Sequence, residues 1–473
     1  MLARDHYQRG MALHREGRLD AAVEAYGRAL AAEPGFAEAL NALGIALQQQ
    51  GRLEDAIPHY RAALAAKPDY ASASSNLGAA LASLGDLAQA LPWYRRAIEL
   101  RPDHADAHYN LAKALHERGE TEAALDGYRR ATALDAGHAS AWNNLGTLLR
   151  EMGRTGEAVA AYRRAIAIRP DAAEIRYNAA MAQLECGDFA EGWAGYEARF
   201  AAGEVADRPF VQPRWRGEDI ADKTLLVWAE QGFGDAIQFA RLLPLAGRRA
   251  ARLLFEVRPP LVRLFQGLAG VERVIVAGEP PPSFDLQVPL LSLPGILGID
   301  AATIPVGVPY LSTEPAQTES WRARLAEERR PRIGLAWAGN PGHKNDANRS
   351  LPAATLAPLL DLPVAWYSLQ PDAAPVAGIV PLGPELADFA DSAAAMAGLD
   401  LIIAVDTAIA HLAGALGKPV WTLHPFAPDW RWLREREDSP WYPTMRLFRQ
   451  RRPGDWPELI ERVAAELRAR FSL

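Results

Sequence analysis

The chain has 473 residues, of which 49% are hydrophobic and 8% aromatic, so it is long enough for two or three domains and too apolar for extensive disorder. Its formal net charge of −7 argues against nucleic acid as the main partner. Cys186 is the single cysteine, which excludes an intrachain disulfide framework and suits a reducing compartment. The initial segment MLARDHYQRG lacks the apolar core of a signal peptide, and no run approaches the ~20 apolar residues of a membrane span. We therefore expect a soluble, cytoplasmic protein.

The first part of the chain is a repeat array with a period of 34 residues. Tyrosine, glycine and alanine each recur at this step, at Tyr26, Tyr60, Tyr94, Tyr128 and Tyr162, at Gly17, Gly51, Gly85, Gly119 and Gly153, and at Ala22, Ala56, Ala90, Ala124 and Ala158. Glycine permits a tight turn and alanine permits close packing, so each unit is predicted to be two antiparallel helices. The pattern resembles the tetratricopeptide repeat (TPR). A degenerate sixth unit from about Ala173 is expected to cap the stack, which gives a TPR domain of five repeats plus a cap at residues 1–200 and a linker at 201–222.

A column of asparagines lies on the first helix of successive units, at Asn76, Asn110, Asn144 and Asn178. Regularly spaced amides can hydrogen-bond an extended peptide backbone whatever its side chains are. The column resembles the asparagine ladder of the TPR domain in O-GlcNAc transferases. The alternative is that each amide only satisfies a neighbouring turn. We treat these four asparagines as candidate peptide-binding residues.

Beyond the linker, short apolar strands alternate with helices, which is typical of parallel α/β domains. A first set of strands is predicted at residues 224–229, 252–257, 271–276 and 286–289, and a second set at 332–338, 364–369, 401–405 and 420–423. Helices are predicted at 235–246, 260–268 and 314–330. Two successive sets indicate two facing doubly wound domains, at residues 223–315 on the acceptor side and 316–452 on the donor side, with a ligand in the cleft between them. A terminal amphipathic helix, within residues 453–473, is expected to pack back across the first set.

Polar motifs follow five of the predicted strands, at residues 231–235, 340–350, 370, 406–411 and 426–432. Because ligands in parallel α/β sheets settle at the carboxyl ends of strands, these loops are expected to converge on one site. Such convergence favours a binding site over unrelated solvated turns. None of the loops is a dinucleotide fingerprint or a Walker A loop.

The loop after the first strand contains a carboxylate with two possible roles. Gly232 and Gly234 would let the backbone approach a ligand closely, and Asp235 begins the next helix. Asp235 could cap that helix, or it could be a general base that takes a proton from an acceptor hydroxyl. It can do both only if its second oxygen faces the cleft. The sequence leaves both roles open.

The loop NPGHKNDANRS in the second domain offers two cations for phosphate, Lys344 and Arg349. Other side chains could bond phosphate or sugar oxygens, and these are Asn340, Asn345 and, after the next strand, Gln370. The alternative is a solvated surface loop.

A buried apolar strand precedes Asp406 and Thr407, which begin a helix whose amide groups could hold a diphosphate. His411 lies one turn later on the face of Thr407 and could donate to the phosphate or to the sugar. Trp430 in the next loop could stack on a base or a sugar, or it could pack between the domains.

Residues 223–450 resemble the GT-B glycosyltransferases of the heptosyltransferase-like type. The resemblance rests on Gly234-Asp235 and on the segment DTAIAHLA at 406–413, where the family has glycine in place of Ala408. A GT-B unit joined to TPR repeats resembles the protein O-glycosyltransferases, both the O-GlcNAc transferase type and the bacterial flagellin-modifying type. The resemblance implies an α-solenoid followed by an α/β GT-B fold of two facing Rossmann-like domains.

The resemblance also implies transfer of a sugar from a nucleotide-sugar donor to Ser or Thr of a protein, with flagellin as a candidate acceptor. Asp235 would be the base, Lys344 and the helix after Thr407 would hold phosphate, and Asp406 and His411 would position the donor. No D-x-D motif occurs, so neither a metal nor a cofactor is expected. Two alternatives remain: a TPR scaffold with an inactive transferase, or an enzyme acting on a lipopolysaccharide or small-molecule acceptor.

Overall fold

The computed structural model describes residues 2–342, 345–371 and 374–473. The chain divides into two compact units, Met1–Ile175 and Arg176–Leu473. Lys344, one of the predicted phosphate-binding residues, lies outside the described residues.

The first unit is a series of helix pairs. Its helices are α1 (Leu2–Arg15), α2 (Leu19–Ala32), α3 (Ala37–Gln49), α4 (Leu53–Ala66), α5 (Ala71–Ser83), α6 (Leu87–Leu100), α7 (Ala105–Glu117), α8 (Thr121–Leu134), α9 (Ala139–Glu151) and α10 (Thr155–Ile168), and α11 (Ala173–Glu185) crosses into the second unit. The turn glycines of the 34-residue register have positive φ, from 75° at Gly17 to 83° at Gly85. A side chain is strained in that conformation, which explains why glycine recurs there.

A tyrosine–glycine contact holds each pair together. A Cβ atom added to Gly44 would lie 2.6 Å from the ring of Tyr60, so the ring packs directly on the backbone of the preceding helix. The same contact joins Gly10 with Tyr26, Gly78 with Tyr94 and Gly146 with Tyr162. The repeat period is therefore a packing rule as well as a turn rule.

The second unit contains two parallel sheets. The first sheet has the order β3-β2-β1-β4 and consists of β1 (Ile220–Trp228), β2 (Ala250–Val257), β3 (Arg273–Val276) and β4 (Leu286–Pro289). The second has the order β10-β9-β8-β5-β6-β7 and consists of β5 (Arg332–Ala336), β6 (Ala365–Ser368), β7 (Ile379–Pro381), β8 (Leu401–Val405), β9 (Val420–His424) and β10 (Met445–Arg449). These findings confirm the predicted fold class, a helical TPR array followed by parallel α/β domains consistent with GT-B. The sequence analysis missed β7 and β10.

The helices of the second unit are short except at its end. They are α12 (Phe189–Tyr196), α13 (Phe233–Phe239), α14 (Leu243–Gly247), α15 (Val262–Phe265), α16 (Leu293–Ile296), α17 (Pro315–Leu325), α18 (Asp346–Arg349), α19 (Ala357–Leu360), α20 (Phe389–Ala397), α21 (Ala408–Ala415) and α22 (Trp456–Phe471). The predicted helix at 235–246 is divided between α13 and α14 by a 3₁₀ turn at Ala240–Leu242. No described helix combines the length and apolar character needed to cross a bilayer.

Alternation along the strands creates separate cores. Ile402 and Ala404 of β8 belong to a large apolar cluster shared with the first sheet, whereas Leu401 and Ile403 point to the opposite face. On that opposite face α22 packs through Leu459 and its neighbours. The expectation that the terminal helix crosses the first set of strands was therefore wrong, because its apolar face covers the second sheet.

Candidate active site

Helices α13 and α21, which follow β1 and β8, meet at Gly234. A Cβ atom on Gly234 would lie 2.8 Å from Cδ2 of His411 and 3.6 Å from Cα of Ala408. Glycine is therefore required for the two helices to approach each other. The expectation that Gly234 opens its backbone to a ligand was wrong for this face, since His411 already fills the space.

Both carboxylate oxygens of Asp235 are engaged. Oδ2 accepts the backbone N–H of Gly232 at 2.7 Å, which caps α13. Oδ1 accepts a hydrogen bond from Nη2 of Arg431, in the loop after β9. The capping role is present, and the second oxygen faces a guanidinium rather than open space. The Asp235 side chain retains 19% of its exposure, so the pair lies at the edge of solvent.

Arg431 joins two carboxylates from different parts of the chain. Besides Asp235 it binds Oδ1 of Asp429 through Nη1 at 2.8 Å, and its guanidinium lies 4.3 Å from the ring centroid of Trp430. Burial opposes its charge, but Asp429 and Asp235 together raise the pKa of Arg431 well above its ordinary value. Arg431 is therefore a fixed cation at the junction of the two sheets. Sequence reasoning missed Arg431 and Asp429, although both lie in the loop 426–432 that was examined for its aromatic residues.

Asp406 lies beside this cluster as a partly buried carboxyl group. Its Oδ2 accepts the indole N–H of Trp432 at 2.9 Å, and its backbone oxygen accepts from Arg349 at 3.3 Å. Burial first, and then the charge of Asp429, raise the pKa of Asp406 to about 6. The side chains of Trp432 and nearby arginines oppose this shift without cancelling it. Asp406 thus changes charge close to neutral pH.

His411 is a buried neutral residue rather than an exposed donor. Its Nδ1 lies 3.0 Å from the hydroxyl of Tyr442, and its ring stacks on Trp432 with centroids 5.1 Å apart. Burial, followed by the charge of Arg431, lowers the pKa of His411 to about 3. Nε2 lies 3.8 Å from Oδ1 of Asp406. The predicted direct donation from His411 to a donor does not fit this burial, and the residue instead lies behind Asp406.

Thr407 retains an uncommitted hydroxyl at the start of α21. It occupies the N-cap position, but its side chain makes no capping hydrogen bond. Its Oγ1 is buried and has no hydrogen-bond partner among the described residues. An uncommitted hydroxyl beside helix amides is suited to a phosphate oxygen.

The loop after β5 uses most of its polar side chains on itself. Oε1 of Gln370 accepts the N–H groups of Trp337 and Ala338 at 2.6 and 3.1 Å, so Gln370 fixes the start of the loop. Oδ1 of Asn340 accepts from the N–H of Gly342 at 2.9 Å, and Oδ1 of Asn345 accepts from Asn348 at 2.7 Å. Both asparagines are exposed. Of the described donor-loop residues, Arg349 is the one that contacts the Asp406 segment.

Trp430 has no exposed ring face for a donor. It is 1% exposed and packs edge-on against Trp193, with centroids 5.3 Å apart. The prediction that Trp430 stacks on a base or sugar was wrong, because an aromatic cluster with Tyr196 and Phe239 encloses the ring. The packing alternative is the observed one.

The asparagine column in the first unit links neighbouring repeats. Nδ2 of Asn76 donates to Oδ1 of Asn41 at 2.9 Å, and Nδ2 of Asn144 donates to the hydroxyl of Tyr109 at 3.2 Å. Each bond reaches a first helix one repeat earlier rather than the asparagine's own turn. Asn110 is half-buried, as are the other members of the column, and Asn178 belongs to the second unit. Whether these amides bind peptide stays a prediction.

Among the described residues, no group of three or more His, Cys, Asp or Glu side chains is arranged to hold a metal ion. The positive charge near Asp235 and Asp406 comes from Arg431 and Arg349.

Family comparisons match both parts of the chain. Tetratricopeptide repeat families match residues 7–71, 41–104 and 81–148, and a TPR repeat family matches residues 146–187. Glycosyltransferase family 9 (heptosyltransferase) matches residues 378–433, which include Asp406, Thr407, His411 and Arg431.

A curated relative and solved structures share parts of the chain. Protein FlbA of Caulobacter vibrioides is 32% identical over 313 residues, which cover 59% of this chain and 52% of that protein, so the chain spans about half the length of this relative. A thermophilic TPR protein of Thermus thermophilus is similar to 38% of this chain over 99% of its own, with 27% identity and a TM-score of 0.35. Pseudomonas aeruginosa PilF is similar to 42% of this chain over 91% of its own, with 20% identity and a TM-score of 0.40. The family matches and the FlbA relative support a glycosyltransferase fused to tetratricopeptide repeats.

Proposed function

We propose that this protein transfers a sugar from a nucleotide-sugar donor to a Ser or Thr side chain of a protein bound by the repeats, with flagellin as the acceptor to test first. The observation that carries the proposal is the Asp429–Arg431–Asp235 chain, where loops of two parallel sheets meet. A potential base and a fixed cation there lie next to each other. Sugar transfer needs both, because a proton leaves the acceptor while negative charge grows on the departing phosphate.

Donor binding would release Asp235 from Arg431. In the present state two carboxylates share one guanidinium. A donor diphosphate adds negative charge, and a guanidinium binds phosphate in a two-point geometry that a carboxylate pair must give up. Rotation of Nη2 of Arg431 toward the phosphate would leave Oδ1 of Asp235 free. The base is then uncovered only when donor is present.

The transfer step is a single displacement. The acceptor hydroxyl oxygen attacks the anomeric carbon, the bond from that carbon to the phosphate oxygen breaks, and the proton passes to Oδ1 of Asp235. The nucleotide leaves with the bonding electron pair. Arg431, the hydroxyl of Thr407 and the first amides of α21 stabilise its charge, so no metal enters this scheme. Asp406, held by Trp432, accepts hydrogen bonds from the donor sugar.

The asparagine column is the proposed holder of the protein acceptor, and we expect the reaction to occur in the cytoplasm. The first experiment compares flagellin from wild-type cells with flagellin from cells lacking this protein by mass spectrometry. Loss of a glycosyl mass on Ser or Thr supports the proposal. Identical masses would remove flagellin as the acceptor, and a proteome-wide comparison of the same cells would then test protein acceptors in general.

A saccharide acceptor is the second candidate, since the family that matches residues 378–433 is described as heptosyltransferase. Replacing Asn76, Asn110 and Asn144 together by Ala distinguishes the two. A protein acceptor would lose affinity, whereas a lipopolysaccharide or small-molecule acceptor would react as before.

An inactive scaffold is the third candidate, because the engaged state of Asp235 would also suit a protein that never uses it as a base. Titration with nucleotide sugars tests it. A scaffold should bind none, whereas the proposed enzyme should bind at least one.

A further inference from the structure

The sixth repeat differs from the others in what its tyrosine binds. In the first unit the hydroxyls of Tyr26, Tyr60 and Tyr162 bind His14, Gln48 and Thr147, each in its own repeat. Tyr196 occupies the same register, yet its hydroxyl accepts a hydrogen bond from Nε2 of Gln231 at 2.7 Å. Gln231 immediately precedes Gly232, whose N–H binds Asp235. The repeat position has thus been redirected to the loop that presents Asp235.

Arg199, three residues later, anchors the same loop from below. It is fully buried and pairs with Glu230 at 3.0 Å, while its Nη2 also donates to Oγ of Ser292 at 2.9 Å. Oε1 of Glu230 accepts the N–H of Leu291 at 3.2 Å. Arg199 therefore ties the segment after β1 to the segment after β4.

This buried pair is poorly explained by stability alone. Burial raises the pKa of Glu230 to about 7 even though Arg199 opposes the shift. Removing two charges from water offsets much of their attraction, so a buried ion pair adds little net stability. What such a pair does supply is one defined position for the groups attached to it.

The sixth repeat also contacts the loop that carries Arg431. Trp193 of α12 packs edge-on against Trp430, with centroids 5.3 Å apart, and donates its indole N–H to the carbonyl of Ile299 at 2.9 Å. Arg434, three residues after Arg431, pairs with Glu185 of α11. Both partners in the Asp235–Arg431 contact are therefore supported by α11 and α12.

We infer that Tyr196 and Arg199 are positioning residues for Asp235, and that the sixth repeat belongs functionally to the transferase rather than serving as a cap of the TPR array. The inference rests on the proposed function for its effect on turnover. Tyr196 fixes Gln231, Arg199 fixes Glu230, and together they set the path of the loop into α13. A displacement of about 1 Å in such a loop is enough to slow a transfer step roughly 100-fold.

The test compares Tyr196→Phe with Tyr162→Phe in the full chain. Both substitutions remove one hydroxyl from the same repeat position, but Tyr162 binds Thr147 and Tyr196 binds the Asp235 loop. We expect Tyr196→Phe to lower kcat at least about tenfold with KM for the donor nearly unchanged, because binding groups stay in place while the base is misplaced. Tyr162→Phe should leave kcat unchanged.

Amide hydrogen exchange supplies a readout that does not depend on turnover. In Tyr196→Phe, residues 229–236 should exchange roughly fivefold faster, as expected for the loss of one hydrogen bond. Tyr162→Phe should leave that segment as in the wild type. Arg199→Lys should act in the same direction as Tyr196→Phe if it folds.

The possible results separate this inference from the proposed function. Faster exchange with reduced kcat in Tyr196→Phe supports the inference, and unchanged exchange or unchanged kcat overturns it. If the wild-type protein transfers no sugar, the proposed function fails. Hydrogen exchange alone then decides whether Tyr196 holds the loop.

Discussion

Arg431 donates a hydrogen bond to Oδ1 of Asp235 although 196 residues separate them in the chain. The pair joins the helix after β1 in the first sheet to the loop after β9 in the second. A carboxylate held this way remains ionised but is not accessible to an acceptor hydroxyl. The chemistry of the site therefore depends on whether a donor can take Arg431 away from Asp235.

Substituting Asp235→Asn tests the base directly. We expect kcat to fall by about 10²–10⁴-fold, the range for loss of a general base, with donor affinity close to that of the wild type. Steady-state kinetics and titration with the nucleotide sugar measure the two quantities. Asp222→Asn is the matched control, since that exposed carboxylate pairs only locally with Lys223. Near-normal turnover in Asp235→Asn would remove Asp235 from the base role.

Substituting Arg431→Lys tests the shared guanidinium. Lysine retains the charge but cannot bind two carboxylates, or a carboxylate and a phosphate, in a planar two-point geometry. We expect weaker binding of the nucleotide and a fall in kcat of roughly 100-fold. Inhibition by the nucleoside diphosphate measures the first effect. Arg436→Lys, which alters an arginine paired with the exposed Asp438, should change neither.

Substituting Gly234→Ala tests the contact between α13 and α21. The added methyl would lie 2.8 Å from the buried ring of His411, so the helices must separate. We expect the free energy of unfolding of the second unit to fall by about 1–3 kcal/mol. Calorimetric melting measures this change. Gly307→Ala is the control in the same unit, because a Cβ there meets no atom within 4 Å, and equal melting of the two variants would contradict the contact.

The acid limb of activity tests the role of Asp406. Its pKa is about 6, so the carboxylate that would accept sugar hydroxyls is lost as pH falls through that value. His411, with a pKa of about 3, stays neutral throughout this range and cannot supply the limb. We expect log kcat to decline below about pH 6 in the wild type and in the control Asp361→Asn, and to be flat there in a slower Asp406→Asn. An unchanged limb in Asp406→Asn would contradict the assignment.

Stability should respond to Asp406 in the opposite direction. Because the folded pKa lies above the ordinary value, protonation favours the folded state. The contribution is fully present below about pH 4 and is lost as pH rises through about 6. The difference in melting temperature between wild type and Asp406→Asn should therefore become less favourable to the wild type as pH rises. This separates loss of activity in acid from loss of the fold.

The repeats could be predicted because several requirements share one period. The glycine turn and the tyrosine ring packed on a glycine or alanine recur together, so each register supports the others. The edge strand β10 was missed because Arg446 and Arg449 interrupt the apolar pattern of Met445, Leu447 and Phe448. Local patterns identify strands well when both faces are buried and poorly at an edge.

The candidate site was predictable only in part. Asp235 and Asp406 follow buried strands, and that placement alone drew attention to them. Arg431 is one of 51 Lys and Arg residues, and nothing local marks it as the partner of Asp235. Burial decided the roles of Trp430 and His411, and burial depends on distant elements such as α12 and the loop around Tyr442. Side chains near a strand end can be predicted, whereas their partners across a domain junction cannot.

The most direct test of the central claim is intact-mass measurement of flagellin after incubation with the purified full chain and a panel of nucleotide sugars. The account predicts a mass increase of one or more glycosyl residues on Ser or Thr with at least one donor, and no increase with Asp235→Asn. It would be contradicted if a nucleotide sugar binds yet no protein acceptor, neither flagellin nor any protein altered in cells lacking the chain, gains mass.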